Sequence, residues 1–400
     1  MSTPLHAVIA GAGVGGLTAA LALARAGLRV TVLERSSLVD EVGAGIQLAP
    51  NATGRLRKLG VMNRISMLAS TPEALRIRSY SNGAELSRLT LGPISEFRWG
   101  APFVVIHRAD LLQALIEVCA KEKNISLRTA SDVTGFAVGA ASVEIGARSG
   151  GEILRINADV MIGADGLKSV LRERMGFGLA DKPVWSGRSA WRTLIRAADA
   201  PLAARNLETN LWLGPQAHLV HYPVRNGDLI NVVAIAEDSW RAEKDDDLWS
   251  ISSRPQEISP RFAKWAPEAR GLVASAKEWR RWPLFDRNPV ARWSMDRVAL
   301  LGDAAHPMLP FFAQGAAQAI EDADALGDSF AKHGADVNAA LGAYEKARSE
   351  RAGAVVIASR KQGAIYHMRG ISALARNAVM QRMSANQMMK RLDWLYNYTP

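Results

Sequence analysis

Residues 7–34 read AVIAGAGVGGLTAALALARAGLRVTVLE. Ala7 to Ala10 is a short apolar run, and Leu17 to Ala26 repeats apolar residues at helical spacing. Gly27 stops that pattern, and Arg29 to Leu33 is a second strand-like run. The order strand, glycine-rich turn, helix, strand is that of a βαβ unit. Gly11 permits the tight turn, Gly13 lets the backbone approach a pyrophosphate, and Gly16 lets helix pack on strand. The helix start aims free N–H groups at the phosphates. Glu34, at the end of the second strand, is placed to accept ribose hydroxyls. Gly15 and Arg35 are grouped with them as cofactor-binding residues. GxGxxG alone is a weak signal; with strand, helix and acid in register it predicts a Rossmann-type dinucleotide site.

Outward from this unit, Gly43-Ala44-Gly45 is a glycine-rich loop that would let the backbone, at Gly45, run against a cofactor. Residues 51–68 carry helical periodicity, and 72–102 carry short strands among Gly and Pro. A helix is expected from His107 to about Lys123. Arg108 sits badly for the dipole at its start, which hints at an anionic partner. Residues 125–160 alternate like strands and end in Asp165-Gly166 before another helix. All tryptophans but Trp99 and Trp394 fall from Trp185 to Trp293, so 180–290 reads as a separate, sheet-containing unit. Such aromatics build cores, and they also line pockets for flat ligands. Asp245-Asp246-Asp247 reads as a solvated turn. Residues 298–322, VALLGDAAHPMLPFFAQGAAQAIED, give a buried strand, a bare loop and a helix opening at Gly315-Ala316-Ala317. Residues 336–400 are helical in pattern.

With 48% hydrophobic residues and mean hydropathy −0.02, the 400-residue chain has the composition of a soluble globular protein of two or three packed units. No apolar run approaches membrane-spanning length and no signal peptide is visible, so a cytoplasmic location is the default. The single cysteine, Cys119, excludes intrachain disulfides and CxxC chemistry. No pattern suits a metal. The net charge of +10 is spread along the chain, which argues against nucleic acid and for drawing in small anions.

Three motifs then line up: Gly11-x-Gly13-x-x-Gly16 with Glu34; Asp159-x-x-Ile162-Gly163-Ala164-Asp165-Gly166-x-x-Ser169-x-x-Arg172; and Gly302-Asp303-Ala304-Ala305-His306-Pro307. In this order the chain resembles the class A flavoprotein aromatic hydroxylases of the para-hydroxybenzoate hydroxylase fold, in their salicylate hydroxylase-like and 3-hydroxybenzoate 6-hydroxylase-like branch. The resemblance implies an α/β (α+β) fold: a Rossmann-type FAD-binding domain, an interleaved β-sheet substrate domain, and C-terminal helices. The division would be FAD binding in 1–75, 103–179 and 291–335, substrate binding in 76–102 and 180–290, and a helical segment in 336–400. It implies bound FAD, with NADH or NADPH and O2 as co-substrates. Glu34, Arg108, Asp165 and Asp303 would hold the cofactor, with Pro307, Gly315, Ala316 and Ala317 near its ring. His306 is expected to be structural or cofactor-side. The chemistry implied is hydroxylation of a small phenolic or N-heteroaromatic acid through a flavin C4a-hydroperoxide. A larger or urate-like ring, or a non-catalytic flavin-binding role, are the alternatives. No membrane is implied, and the protein would be a monomer or homodimer.

A phenol reacts faster as its phenolate, so a general base is useful and histidine suits it. His6, His333 and His367 lie far from any motif and are expected at the surface. In a strand, His218, Val220 and Tyr222 share one face while His221 points away. His218 is therefore the expected catalytic base and Tyr222 its hydrogen-bonding partner, as the resemblance also implies. Pyridine-type members carry a histidine where this chain has Phe311. Phe311 and Phe312 are expected to form an apolar wall of the substrate pocket. The residue that meets a carboxylate is not legible.

Overall fold

The computed structural model describes residues 3–37, 44–177, 181–239 and 251–398. Gly43 and the Asp245-Asp246-Asp247 turn lie outside them. The βαβ unit forms as its pattern requires. Strand His6–Ala10 is buried at every position and pairs in parallel with Arg29–Leu33 and with Val160–Gly163. The full sheet runs Ser294–Met295, Val298–Leu300, Val160–Gly163, His6–Ala10, Arg29–Leu33, Ile125–Arg128. Only its first strand is antiparallel. Continuous apolar runs such as HAVIA suit strands covered on both faces. Helix Val14–Arg25 packs against helix Gly315–His333, and the contact is close: a Cβ on Gly327 would lie 2.8 Å from Ala22 Cβ.

A second sheet of eight strands stands beside it. Its order is Ile251–Ser253, Trp279–Asp286, Val184–Arg196, Leu229–Glu237, Ala217–Val224, Thr209–Gly214, Ala74–Ser79, Glu85–Thr90. Two of these strands come from early in the chain; Ala74–Ser79 pairs in parallel with Thr209–Gly214. The chain returns through Val104–His107, which pairs with Gly45–Leu48. One face of the sheet packs into a core containing Trp191, Trp212, Trp265 and Trp279. The other faces the six-stranded sheet's loops. A three-stranded antiparallel sheet, residues 131–158, flanks the first. The C-terminal region begins with the long helix Val337–Tyr366 and continues in three shorter ones.

Several expectations shift. The helix over 51–68 is two helices, Pro50–Lys58 and Met62–Ile65, interrupted at Gly60, whose φ is +69°. The helix expected to reach about 123 is Arg108–Cys119. His6 and His367 are not surface residues: both are buried. His6 bonds Thr31 Oγ1 through Nε2 at 2.9 Å. Among the described residues no helix is long and apolar enough to cross a membrane, and no group of three or more His, Cys, Asp or Glu could hold a metal.

Candidate active site

One cavity of about 650 Å3 extends from Glu34 to the face of the eight-stranded sheet that carries His218. At its first end the glycine turn is fixed by sterics. Gly11 has φ +102°, and a Cβ there would lie 2.5 Å from the carbonyl oxygen of Ala164. A Cβ on Gly16 would collide with the carbonyl oxygen of Gly11, whereas Gly13 has no atom within 4 Å of that position. Helix Val14–Arg25 opens here without a capping side chain and without an acid in its first turn. Glu34 is held in place by the backbone N–H groups of Ala12 (2.8 Å) and Ser36 (2.9 Å). Gly15, Arg35 and Arg108 also line this half.

The middle is built from two loops that arginine ties together. Asp165 accepts from the N–H of Val170 at 2.8 Å through Oδ2, while its buried Oδ1 has no partner. Burial raises its carboxyl above the usual range. Arg172 is fully buried; it pairs with Asp181 at 2.6 Å and donates to the carbonyls of Ala304 (2.9 Å) and Ala305. It thereby locks the Asp165 loop to the Gly302-Asp303 turn. Asp303 exposes its carboxylate to the cavity. The protein packed around it raises its pKa; His306 and Arg108 pull the other way. His306 Nε2 meets Asp322 at 2.6 Å. Asp322 also accepts from Gly302 N–H (3.0 Å) and from Arg348 (2.8 Å). Burial works against ionised Asp322, but His306 and Arg348 hold its carboxyl down at about 2. His306 thus braces the turn. Gly315 and Ala316 line the cavity at the start of helix Gly315–His333, again uncapped and with no acid in its first turn. Ala317 and Pro307 are buried and outside the lining.

The far wall is a sheet face whose register sets the layout. His218 pairs with Ile235, Val220 with Val233, and Tyr222 with Asn231; Val233 in turn pairs with Arg192. His218, Val220, Tyr222, Val233, Ile235 and Arg192 all line the cavity. His218 and Tyr222 stand four residues apart, about 13 Å along the strand. His221 points into the tryptophan core, its ring 6.3 Å from that of Trp212. Burial raises the Tyr222 hydroxyl well above the usual value, and Gln47, which also lines the cavity, works the other way. Gly45 is forced by this junction: its N–H donates to Asn231 at 2.7 Å, and a Cβ would lie 2.6 Å from the Tyr222 ring.

His218 Nδ1 lies 2.8 Å from His367 Nε2, and Arg188 Nε donates to His367 Nδ1 at 3.0 Å. Burial, His367 and Arg188 together lower the His218 pKa well below normal. Phe311 and Phe312 do not line the cavity. The Phe311 ring is buried behind His218 (5.6 Å between centroids), against Tyr366 and His367, where Gly363 leaves room for it. Phe312 packs in a cluster with Met308 and Met388. Among the described residues no tryptophan lines the cavity; apolar contact there comes from Val220, Val233, Ile235, Met308 and Pro310.

Four functional candidates escaped the sequence reading: Gln47, Arg192, Arg188 and His367. Arg192 lies in the 180–290 sheet-containing stretch, where nothing in the sequence assigned it a face or a role. His367 closes the helix Val337–Tyr366 and reaches His218 across 149 residues, for which no local pattern exists.

The donor set suits FAD. Two helix starts without caps or acids favour a diphosphate and an electron-rich ring edge. Gly13 leaves backbone open to a phosphate, Glu34 suits a ribose, and Asp165 keeps an unsatisfied oxygen at the wall. A family model described as "FAD binding domain" matches residues 5–359. The chain is 34% identical over 399 residues to the 3-hydroxybenzoate 6-hydroxylase of Klebsiella oxytoca, covering 100% of this chain and 98% of that one. Klebsiella pneumoniae HpxO, solved with FAD and uric acid, superposes with TM-score 0.84 at 26% identity over 97% of this chain and 95% of that one. A salicylate hydroxylase–substrate complex gives TM-score 0.82 at 26% identity, covering 99% and 96%. The chain belongs to the FAD-binding-domain family, among its flavoprotein aromatic hydroxylases.

Proposed function

We propose that this protein hydroxylates a small phenolic acid of the hydroxybenzoate class, consuming NADH or NADPH and O2, in the cytoplasm as a monomer or homodimer. The observation that carries the reading is the sheet face opposite the Gly315 helix start. It offers two neutral polar groups, His218 and Tyr222, one cation, Arg192, and between them the apolar side chains of Val220, Val233 and Ile235. When bound, FAD supplies the electron transfer from nicotinamide and the activation of oxygen. The chain's residues do the rest. Gly13, Glu34, Arg108, Asp165, Asp303, Gly315 and Ala316 hold and orient the cofactor. Val220, Val233, Ile235, Met308 and Pro310 take the substrate ring and exclude water. His218, Tyr222 and Gln47 address its oxygen substituents. Arg192, whose guanidinium is steadied over Trp282 at 5.4 Å, faces the carboxylate.

The test is a nicotinamide-oxidation screen of the FAD-loaded protein over 3-hydroxybenzoate, salicylate, 3-amino-4-hydroxybenzoate, 6-hydroxynicotinate and urate, with products identified by mass spectrometry. A hydroxybenzoate-class acid should accelerate NADH or NADPH oxidation and yield a hydroxylated product in near-equal amount. Acceleration by urate alone would move the reading to a purine-like ring. Oxidation indifferent to every aromatic would sink the catalytic reading.

A further inference from the structure

His218 was expected to act as a base. The hydrogen bonds behind it argue otherwise. Arg188 remains protonated in proteins and can only donate. Its Nε–H points at His367 Nδ1 at 3.0 Å, so that nitrogen must be an acceptor. A neutral imidazole carries one N–H; the proton of His367 therefore sits on Nε2. That N–H points at His218 Nδ1, 2.8 Å away, which must then be an acceptor as well. The proton of His218 is consequently on Nε2, the ring nitrogen left open to a ligand in the cavity. The geometry points to Arg188 and His367 as positioning residues that hold His218 in its Nε2–H tautomer, so that His218 gives the substrate oxygen a hydrogen bond and does not take its proton.

The surrounding charges agree. Arg188 acts on both imidazoles and Arg376, from helix Gly370–Arg382, acts on His367. The other rings against His218 are Tyr366 at 5.4 Å and Phe311 at 5.6 Å. Glu237 acts on Arg188, not on the pair. A histidine base is ordinarily backed by a carboxylate that stabilises the imidazolium it becomes; here the far end of the relay is a guanidinium. Burial and these cations lower His367 to about 3, so both rings stay neutral through the working range. The reverse tautomer chain would set His367 Nδ1–H against Arg188 Nε–H, two donors in contact.

The consequence rests on the proposed substrate class. A phenol meeting Nε2–H binds best as its phenolate, releasing its proton to water on binding. His218 and the positive charge of Arg192 and Arg188 then stabilise the oxyanion that activates the ring.

The tautomer is read without substrate. Protein labelled with 15N-histidine and loaded with FAD gives two-bond 1H–15N spectra, with the seven histidines assigned by single His→Gln variants. From pH 6 to 9, His218 should show Nε2 protonated and Nδ1 bare. A bare Nε2 on His218 in the unaltered protein would overturn the proposal, whatever the variants do. Arg188→Met should release the chain and give averaged His218 signals, and Arg188→Gln, which keeps a donor, should restore them. Unchanged signals in a folded Arg188→Met protein also count against it. With 3-hydroxybenzoate as probe, the bound molecule should show the phenolate absorption band near neutral pH, and Arg188→Met should weaken its binding about tenfold. Binding as the neutral phenol would contradict the proposal. A screen with no hydroxylated product would sink the substrate reading and leave the NMR result standing.

Discussion

A single missing Cβ decides whether the strand Gly45–Leu48 can lie against the eight-stranded sheet. Gly45 runs against Tyr222 and Asn231 at distances that leave no room for a methyl group. Gly45→Ala should therefore lower stability by about 1–3 kcal/mol and raise KM for the aromatic acid, because the displaced side chain is Tyr222. Gly54→Ala is its control: there a Cβ would meet Ala101 at 3.6 Å, inside helix Pro50–Lys58, where alanine is the better residue. Thermal melts should move the two variants in opposite directions; equal melts would refute the steric reading. At this scale the sequence was informative wherever a period applied. The alternation of 218, 220 and 222 placed three residues on one face, and the glycine turn marked Gly13 as a backbone position left open. It failed for His367, Arg188 and Phe311. Their positions depend on a helix end and a loop arriving from distant parts of the chain, and the comparison with pyridine-type members drew Phe311 to the pocket when it packs behind it.

Between elements, Arg172 connects the helix that follows Asp165 to the turn that carries Asp303. Its guanidinium has no water to fall back on, and its partners Asp181 and the carbonyls of Ala304 and Ala305 come from different segments. Arg172→Met leaves these acceptors unmatched, and a loss of about 3–5 kcal/mol is expected. The denaturant midpoint should fall, and FAD should be lost more readily on desalting. FAD retained as in the unaltered protein would show that the two loops hold without their tie. Strands and helices themselves were legible as apolar runs and 3.6-residue periods, because the core strands are buried on both faces. Boundaries were less so: Gly60 breaks a helical pattern that its neighbours continue, and a left-handed glycine leaves no trace in periodicity.

Across the whole molecule, neutral histidines are kept in places where a proton is unwelcome. Burial holds His221 and His367 at about 3, against 6.5 when exposed, and His218 and His6 are lowered as well. Below pH 6.5 the unfolded chain takes up protons that the folded chain refuses, so stability is complete above 6.5 and falls as pH drops toward 3. Each such group contributes about 1.4 kcal/mol per pH unit in that window. Melting temperature should be level from pH 8 to 7 and decline steadily from 6.5 to 4, with a shallower decline in His221→Phe, whose ring nitrogens have no partners. A flat profile over that range would disprove it. At this scale the sequence revealed the least. The composition shift at the tryptophans marks the stretch that supplies six strands of the eight-stranded sheet, but the parallel pairing of Ala74–Ser79 with Thr209–Gly214 joins segments that share no local signal.

The strand Ala217–Val224 has one face for the cavity and one for the tryptophan core, residue by residue. Its odd positions, Ala217, Leu219 and His221, answer to folding; its even positions, His218, Val220 and Tyr222, answer to the ligand. The same division continues through Ala234 and Ile235 on the neighbouring strand. Selection can thus rewrite the even positions without renegotiating the odd ones. A lineage built on this sheet could drift from one aromatic acid to another by point substitutions alone, while its interleaved chain rules out acquiring a new pocket by exchange of a contiguous segment.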